Sequence, residues 1–444
     1  MTTDEKNSAR EALRRDALAY HENGRPGKLE VRVTKPMATS RDLSLAYSPG
    51  VADACTAIQE EASNASRFTG RGNLVAVVSN GTAVLGLGNI GAMASKPVME
   101  GKAALFKKFA NIDCFDIEVD EKDPEKLAEI VCALEPTFGA VNLEDIKAPD
   151  CFIVENLCKE RMGIPVFHDD QHGTAIVCGA AAVNALRLAN KKIEDVRLVC
   201  SGGGAAGTAC INLLIGLGVK KENVMVCDRS GVIYEGREGL TPAKMQFAVD
   251  TECRTLEDAI KGADMFLGVS GPGVLSQDMV KSMAPGPIIF ALANPTPEIM
   301  PDLCKEAVPD AFIATGRSDF PNQVNNVLCF PFIFRGALDV GATEINEEMK
   351  YACVHAIAEL ARAPSTAEAA AAYEGESLKF GPEYLIPKPF DPRLLSVAAT
   401  AVAETAMKTG VAERPLDDVE KYRADLLAKV FQSGFAMKRI YERA

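Results

Sequence analysis

The sequence predicts an α/β protein: an N-terminal α/β catalytic domain followed by a Rossmann-type, doubly wound dinucleotide-binding domain. Three observations predict it. From residue 74 onward, short apolar runs rich in β-branched residues alternate with helix-length segments. The glycine loop Gly202-Gly203-Gly204-Ala205-Ala206-Gly207 lies between one such run and a helical one. Two acidic pairs, Glu144-Asp145 and Asp169-Asp170, each follow a strand-like run, and in a parallel sheet the strand ends form the edge where ligands bind.

The elements follow in chain order. The first 30 residues read as a polar helix that ends near Gly24-Arg25-Pro26-Gly27. Leu74-Val75-Ala76-Val77-Val78 and Ala83-Val84-Leu85-Gly86-Leu87, joined through Asn80-Gly81, read as a β-hairpin. Strands at 114–119, 141–143 and 164–167 then alternate with helices at 124–134 and 151–162. A helix from Thr174 to Ala189 leads into a second unit. That unit has a strand at 197–201, a helix at 205–217 and a strand at 223–227. Further strands are expected at 264–269, 287–293 and 311–315. One long helix is expected over 337–361, before an alanine-rich stretch at 367–372. The expected domains are 1–165 (catalytic, metal-contributing), 166–405 (dinucleotide-binding) and 406–444 (helical extension), which suits a chain of 444 residues.

Composition narrows the function. The net charge of −13 is wrong for neutralising phosphate backbones, so nucleic acid is excluded as a partner. With 47% hydrophobic and 25% charged residues the chain reads as globular. No apolar run approaches the roughly 18 residues of a membrane span. The charged N-terminus lacks the apolar segment of a secretory signal. Thirteen cysteines, scattered singly and without a CxxC pair, fit small-hydrophobe packing in a reducing cytoplasm.

The chemistry concentrates in two motifs. Gly202, Gly204 and Gly207 fit GxGxxG between a strand and a helix. Without Cβ atoms the backbone can approach a pyrophosphate, and Ala205 and Ala206 open the helix whose free N–H groups would receive it. Asp228 ends the next strand and suits ribose hydroxyls, whereas Arg229 beside it suits a 2′-phosphate instead. A second match, Gly86-Leu87-Gly88-Asn89-Ile90-Gly91, follows the expected hairpin with its helix delayed to about Pro97. It reads as a tight loop lining the cleft. The acidic pairs either converge on a cation or are two separate solvated pairs. If they converge, oxygen-only donors suit Mg²⁺ or Mn²⁺. His168 and His172 make a poor zinc pair, because i, i+4 binding needs one helix and Gly173 suggests a turn there. Spacing alone does not separate Tyr47 from a packed loop tyrosine, or Lys102 from a solvated lysine.

The chain resembles the malic enzymes, in particular the malic domain of the bacterial hybrid, phosphotransacetylase-linked type. The resemblance rests on several stretches in order: Thr34-Lys35-Pro36-Met37-Ala38-Thr39, Leu45-Ala46-Tyr47-Ser48-Pro49-Gly50-Val51-Ala52, Pro97-Val98-Met99-Glu100-Gly101-Lys102, Asn142-Leu143-Glu144-Asp145-Ile146, His168-Asp169-Asp170-Gln171-His172-Gly173-Thr174-Ala175, Ala291-Leu292-Ala293-Asn294-Pro295 and Asn325-Asn326-Val327-Leu328. It implies oxidative decarboxylation of L-malate to pyruvate and CO₂, with NADP⁺ preferred and NAD⁺ possible, and with Mg²⁺ or Mn²⁺ required. It further implies metal ligands at Glu144, Asp145 and Asp170, a general base at Lys102, a general acid at Tyr47, and Asp169 as partner of the lysine. Asn294 and Asn326 are implied as polar contacts to malate or the nicotinamide end.

As a base, Lys102 is expected to have a depressed pKa. Larger family members carry an arginine for a malate carboxylate where this sequence has Ala83, so that contact is expected from Ser79, Asn80 or the metal. The family implies a homodimer or larger homo-oligomer. It also implies acetyl-CoA regulation if a phosphotransacetylase-like domain follows. The competing reading is a metal-independent 2-hydroxyacid dehydrogenase, which would not need the acidic residues. A non-catalytic nucleotide-binding remnant would show a broken catalytic set, and here the set is intact.

Overall fold

The computed structural model describes residues 3–84, 86–371, 373 and 378–441. Leu85, Ala372 and residues 442–444, which belong to the expected hairpin, alanine-rich stretch and C-terminal extension, lie outside the described residues.

Two sheets organise the chain. The first contains β1 (Leu74–Ser79), β2 (Asp113–Glu118), β3 (Ala140–Leu143) and β4 (Val166–His168), all parallel, in the order β2-β1-β3-β4. The second contains β5 (Leu198–Ser201), β6 (Val224–Asp228), β7 (Gly231–Val232), β8 (Met265–Gly268), β9 (Ile288–Ala291) and β10 (Phe312–Thr315). Its order is β10-β9-β8-β5-β6-β7, parallel except for β7. Buried Val, Ile, Ala and Phe fill the inner strands on both faces, as parallel strands between helices require, whereas the edge strand β2 has no buried residue.

Each sheet has a point where the strand order reverses. In the first sheet the chain places β2 on one side of β1 and then β3 on the other; in the second it places β6 beside β5 and then β8 on the opposite flank. At such a point the loops leaving neighbouring strands diverge and open a crevice. The crevices therefore lie beyond Ser79 and Leu143 in one unit, and beyond Ser201 and Gly268 in the other.

Three expectations are corrected. There is no hairpin at Asn80-Gly81, because β1 is flanked on both sides by parallel partners. Residues 81–84 and 86–91 instead follow β1 without a strand, and the Ile90 and Gly91 amides donate back to the Gly81 carbonyl. The helix after it runs Ala92–Ala110, starting before Pro97 and carrying that proline inside. The single long helix over 337–361 is two helices, Phe330–Asp339 and Glu347–Arg362, separated by Gly341 in the left-handed region (φ +58°) and restarted by the Asn346 side-chain cap. A division at residue 165/166 falls just before β4, which belongs to the first sheet.

The chain passes between the units through the buried helix Asp169–Leu188, which packs on the helices Ala205–Gly216 and Glu347–Arg362. One apolar core spans both units, joining Val75, Met99 and Phe106 to Leu198, Ile211 and Phe334. At about 25 cal/mol per Å² of apolar surface, such a shared core holds the two sheets in one arrangement. No helix among the described residues is long and apolar enough to cross a membrane.

Candidate active site

Two strand ends and two helices build an acidic pocket at the edge of the first sheet. β3 ends at Leu143, and the next two residues, Glu144 and Asp145, are buried. Asp145 has φ +54°, in the left-handed region, so the chain turns sharply there at a conformational cost that functional sites tend to carry. β4 hands over directly to the helix Asp169–Leu188, which puts Asp169 and Asp170 in its first turn, where the helix dipole favours negative charge. The Asp145 amide donates to Asp170 Oδ2 at 2.8 Å, tying the two strand ends together. One oxygen from each of Glu144, Asp145 and Asp170 lies within 4.8 Å of the others.

Lys102 reaches this pocket from the helix Ala92–Ala110. Its Nζ lies 2.8 Å from Glu144 Oε1, 2.5 Å from Asp169 Oδ2 and 4.1 Å from the centre of the Phe330 ring. Asn326 donates to the same Asp169 oxygen at 3.0 Å and accepts from the Thr174 hydroxyl at 3.0 Å. A Cβ on Gly173 would lie 1.9 Å from Asp169 Oδ1. Gly173 is therefore a helical residue that makes room for a carboxylate, not the turn its type suggested. The zinc pair fails for another reason. His172 points to Glu155 (2.8 Å) and Lys350 (3.1 Å), whereas His168 is fully buried with neither ring nitrogen hydrogen-bonded.

Crowding carboxylates in a buried space shifts their protonation. Burial, with only partial relief from Lys102, pushes Glu144 well above the usual carboxylate range. Burial and the neighbouring Asp170 push Asp145 up to about 8. Burial lowers Lys102, but the Asp169, Glu144 and Asp170 charges outweigh it and hold the ammonium above its ordinary value. This reverses the expected depression: without a cation, Lys102 is the counter-charge of the pocket. Asp169 Oδ1 is buried with no hydrogen-bond partner. Oxygen-only donors, excess negative charge and an unsatisfied carboxylate together fit a hard divalent cation.

The second crevice suits a dinucleotide. Gly202 has φ +121°, and a Cβ there would lie 2.5 Å from the Val269 carbonyl oxygen; one on Gly207 would lie 1.9 Å from the Gly202 carbonyl oxygen. A Cβ on Gly204 would meet nothing within 4 Å. Two glycines thus serve close packing, and the third faces open space. Gly204 caps the Ala205–Gly216 helix without a side chain, leaving the first-turn amides at Ala205 and Ala206 for an anion. Ala205 also packs against the apolar cluster containing Leu143, Ile146 and Cys151, which sets this loop beside the acidic pocket.

The other expected residues divide. Asn294, on the loop after β9, lies over Gly316 at the same edge of the second sheet. Asn326 stands in the pocket itself, its amide donating to Asp169 and accepting from Thr174. Ser79 is fully buried and accepts the Gly81 N–H; Asn80 bonds the Glu121 carbonyl and the Thr82 hydroxyl, so both shape the loop. Tyr47 is 72% exposed at the end of the helix Ser40–Ala46, a helix with no buried residue, and it makes no polar contact with the pocket. Asp228, at the end of β6, pairs with Arg237 through one oxygen and with Lys244 through the other. Arg229 is exposed.

Sequence reasoning missed Glu155, Phe330, Arg237 and Lys244. For the last two, the signal was available as basic residues spaced after the second strand. For Glu155 and Phe330 no motif exists, since only folding brings them to the pocket.

Residues 26–159 match the family model "Malic enzyme, N-terminal domain" and residues 171–373 match "Malic enzyme, NAD binding domain". The chain is 62% identical over 434 residues to an NADP-dependent malic enzyme of Escherichia coli, covering 97% of this chain and 57% of that protein. The chain thus spans a little over half the length of such relatives. It is 55% identical to an NADP-dependent malic enzyme of Halomonas elongata, covering 91% of this chain and 96% of that one. The crystal structure of a malic enzyme from Pyrococcus horikoshii superposes with TM-score 0.89 at 40% identity, covering 97% of this chain and 99% of that chain.

Proposed function

The chain belongs to the malic enzyme family, and from that premise we propose that it oxidatively decarboxylates L-malate to pyruvate and CO₂, passing hydride to NADP⁺ in preference to NAD⁺. The observation that carries the reading is the Lys102 ammonium held between Glu144 and Asp169, beside the oxygen cluster of Glu144, Asp145 and Asp170. Those three carboxylates would hold Mg²⁺ or Mn²⁺, which when bound supplies Lewis-acid polarisation of the malate oxygens. NADP⁺, on the Gly202–Gly207 loop, supplies the hydride acceptor.

The chain's own residues do the rest. Lys102 becomes a base for the C2 hydroxyl only when the carboxylates that hold its proton are neutralised. Asp169 and Phe330 fix where that amine points, and Asn326 fixes Asp169. After decarboxylation C3 needs a proton, for which Tyr47 is the proposed donor. Tyr47 lies among exposed Leu43, Leu45 and Val51, an apolar face of the kind that a partner covers. This supports a homodimer in which Tyr47 completes the site of a second copy. All thirteen cysteines are free, which supports action in a reducing cytoplasm.

The test is NADPH and pyruvate formation from L-malate with Mn²⁺, and its loss in a chelator. Folded, metal-loaded protein that reduces neither NADP⁺ nor NAD⁺ overturns the reading. Oxidation of a 2-hydroxy acid that survives the chelator would favour a metal-independent dehydrogenase instead.

A further inference from the structure

The second crevice is crossed by a buried carboxylate that the glycine motif does not require. Glu298 is fully buried. Its side chain joins two loops, 269–271 after β8 and 292–297 after β9. Oε1 accepts from the Ser270 amide at 2.8 Å and from the Ser270 hydroxyl at 3.3 Å. Oε2 accepts from the Ala293 amide at 3.1 Å. The Ser270 hydroxyl also lies 2.8 Å from the Ser201 hydroxyl, at the end of β5. One side chain thus links the carboxyl ends of β5, β8 and β9, which are adjacent in the sheet.

Stability alone does not ask for an acid here. Burial raises the Glu298 carboxyl above its ordinary value, and hydrogen bonds rather than a cation offset part of that rise. A buried carboxylate without a counter-charge costs stability that an apolar side chain of similar size would not. The fold nevertheless makes room for it. A Cβ on Gly268, the last residue of β8, would lie 2.4 Å from Glu298 Cδ. What the acid provides is spacing: two acceptor oxygens on one planar group hold backbone amides of two loops at a set distance. Its own backbone is fixed as well, since the Gly273 amide donates to the Pro297 carbonyl at 3.2 Å and the Leu275 amide to the Glu298 carbonyl at 3.1 Å. Asn294 directly follows the clamped Ala293, and its Nδ2 would lie 2.5 Å from a Cβ on Gly316, just beyond β10. The Asn294 side chain is therefore set from both sides, by the clamp and by the end of β10.

We infer that Glu298 is a positioning residue for the nicotinamide end of the dinucleotide, holding loops 269–271 and 292–297 at the separation that Asn294 needs to meet the nicotinamide ring. The inference rests on the reading that a dinucleotide occupies the Gly202–Gly207 loop, and it assigns the residue that shapes the far end of that crevice.

Equilibrium binding without malate or metal tests it. The fluorescence of NADPH rises when a protein encloses its dihydronicotinamide ring, and 2′-phospho-ADP-ribose is the same molecule without that ring. NADH and ADP-ribose form the equivalent pair for a protein that takes only the phosphate-free nucleotide. Glu298→Gln keeps the side-chain volume but leaves one acceptor oxygen for two loops. It is expected to weaken NADPH by about 10-fold, the scale of one lost hydrogen bond, while 2′-phospho-ADP-ribose changes by less than about two-fold. The fluorescence rise should shrink with it. Ser270→Ala is the milder second variant, because it keeps both carboxylate oxygens and both amide bonds. It should give the same selective loss at about two- to three-fold, and it decides the matter if Glu298→Gln does not fold. If the two ligands weaken equally, or neither weakens, Glu298 serves the fold alone and the inference is wrong, while the nucleotide reading stands. The same holds if the wild type binds 2′-phospho-ADP-ribose as tightly as NADPH. If the wild type binds no member of either pair, both are overturned.

Discussion

Lys102 holds two roles that conflict unless a cation is present. Alone it neutralises a pocket of carboxylates; in the proposed reaction it must give up its proton. Lys102→Ala is accordingly expected to lower kcat by about 10²-fold or more while nucleotide binding stays near wild type, because the amine acts in the proton transfer. Near-normal turnover would remove it from the mechanism. The neighbouring acid gives a prediction with a sign. Asp145 is pushed up to about 8 by burial and Asp170, from an ordinary 3.8. Between those values the folded protein holds a proton that the unfolded chain has released, so metal-free stability falls as pH rises and levels off above the higher value. Glu144 moves in the same direction. A bound cation needs the ionised form, so the thermal stabilisation produced by Mn²⁺ should grow between about pH 5 and about pH 8. Melting curves with and without Mn²⁺ read this directly. A metal-free melting temperature that climbs across that interval contradicts the assignment.

Elements decide whether the carboxylates meet at all. The helix Asp169–Leu188 begins on two ligand-type residues, and its start is braced from outside by Glu155 on the helix Asp150–Arg161. Glu155 accepts from the His168 amide, the Gln171 side chain and, at 2.8 Å, the His172 ring. Glu155→Ala leaves those donors, and the Lys159 ammonium 2.7 Å from Glu155 Oε1, without their buried counter-charge. It should cost about 3 kcal/mol of stability. It should also weaken Mn²⁺ binding although Glu155 is not a ligand, and a chemical denaturation curve together with calorimetry separates the two effects. Affinity unchanged in a destabilised protein would confine Glu155 to the fold. The sequence shows part of this arrangement and hides part. Acidic pairs after strands and the glycine loop are legible because their meaning depends only on neighbours in the chain. Asn80-Gly81 misleads because turn chemistry is local, whereas β1 takes its partners from residues 39 or more positions away. Gly173 misleads likewise, its cause being the Asp169 carboxylate against which it packs. The raised state of Lys102 is invisible in sequence, since it arises from charges on two elements remote from its own helix, the end of β3 and the first turn of the helix Asp169–Leu188.

At the scale of the whole molecule, the two sheets share one core, yet the N-terminal segment stands outside it. The helices Ser40–Ala46 and Val51–Glu60 bury no residue, and Val31, Val33, Met37, Leu43, Leu45 and Tyr47 are all more than half exposed. Isolated apolar residues on a surface need no explanation, but a run of them along one segment does. Tyr47 belongs to that run and to the motif that the proposed chemistry needs. If two copies pair through this segment, each pocket takes Lys102 from one chain and Tyr47 from the other. The isologous geometry then makes a testable statement. Lys102→Ala and Tyr47→Phe should each be nearly inactive alone. Mixed, unfolded and refolded together, they should regain roughly a quarter of wild-type activity, because about half of the dimers are hybrids and each hybrid holds one intact pocket. The wild type should elute at twice the chain's mass. A dimer whose mixed variants stay inactive would return Tyr47 to its own chain, and would require the N-terminal segment to fold back onto the pocket it now leaves open.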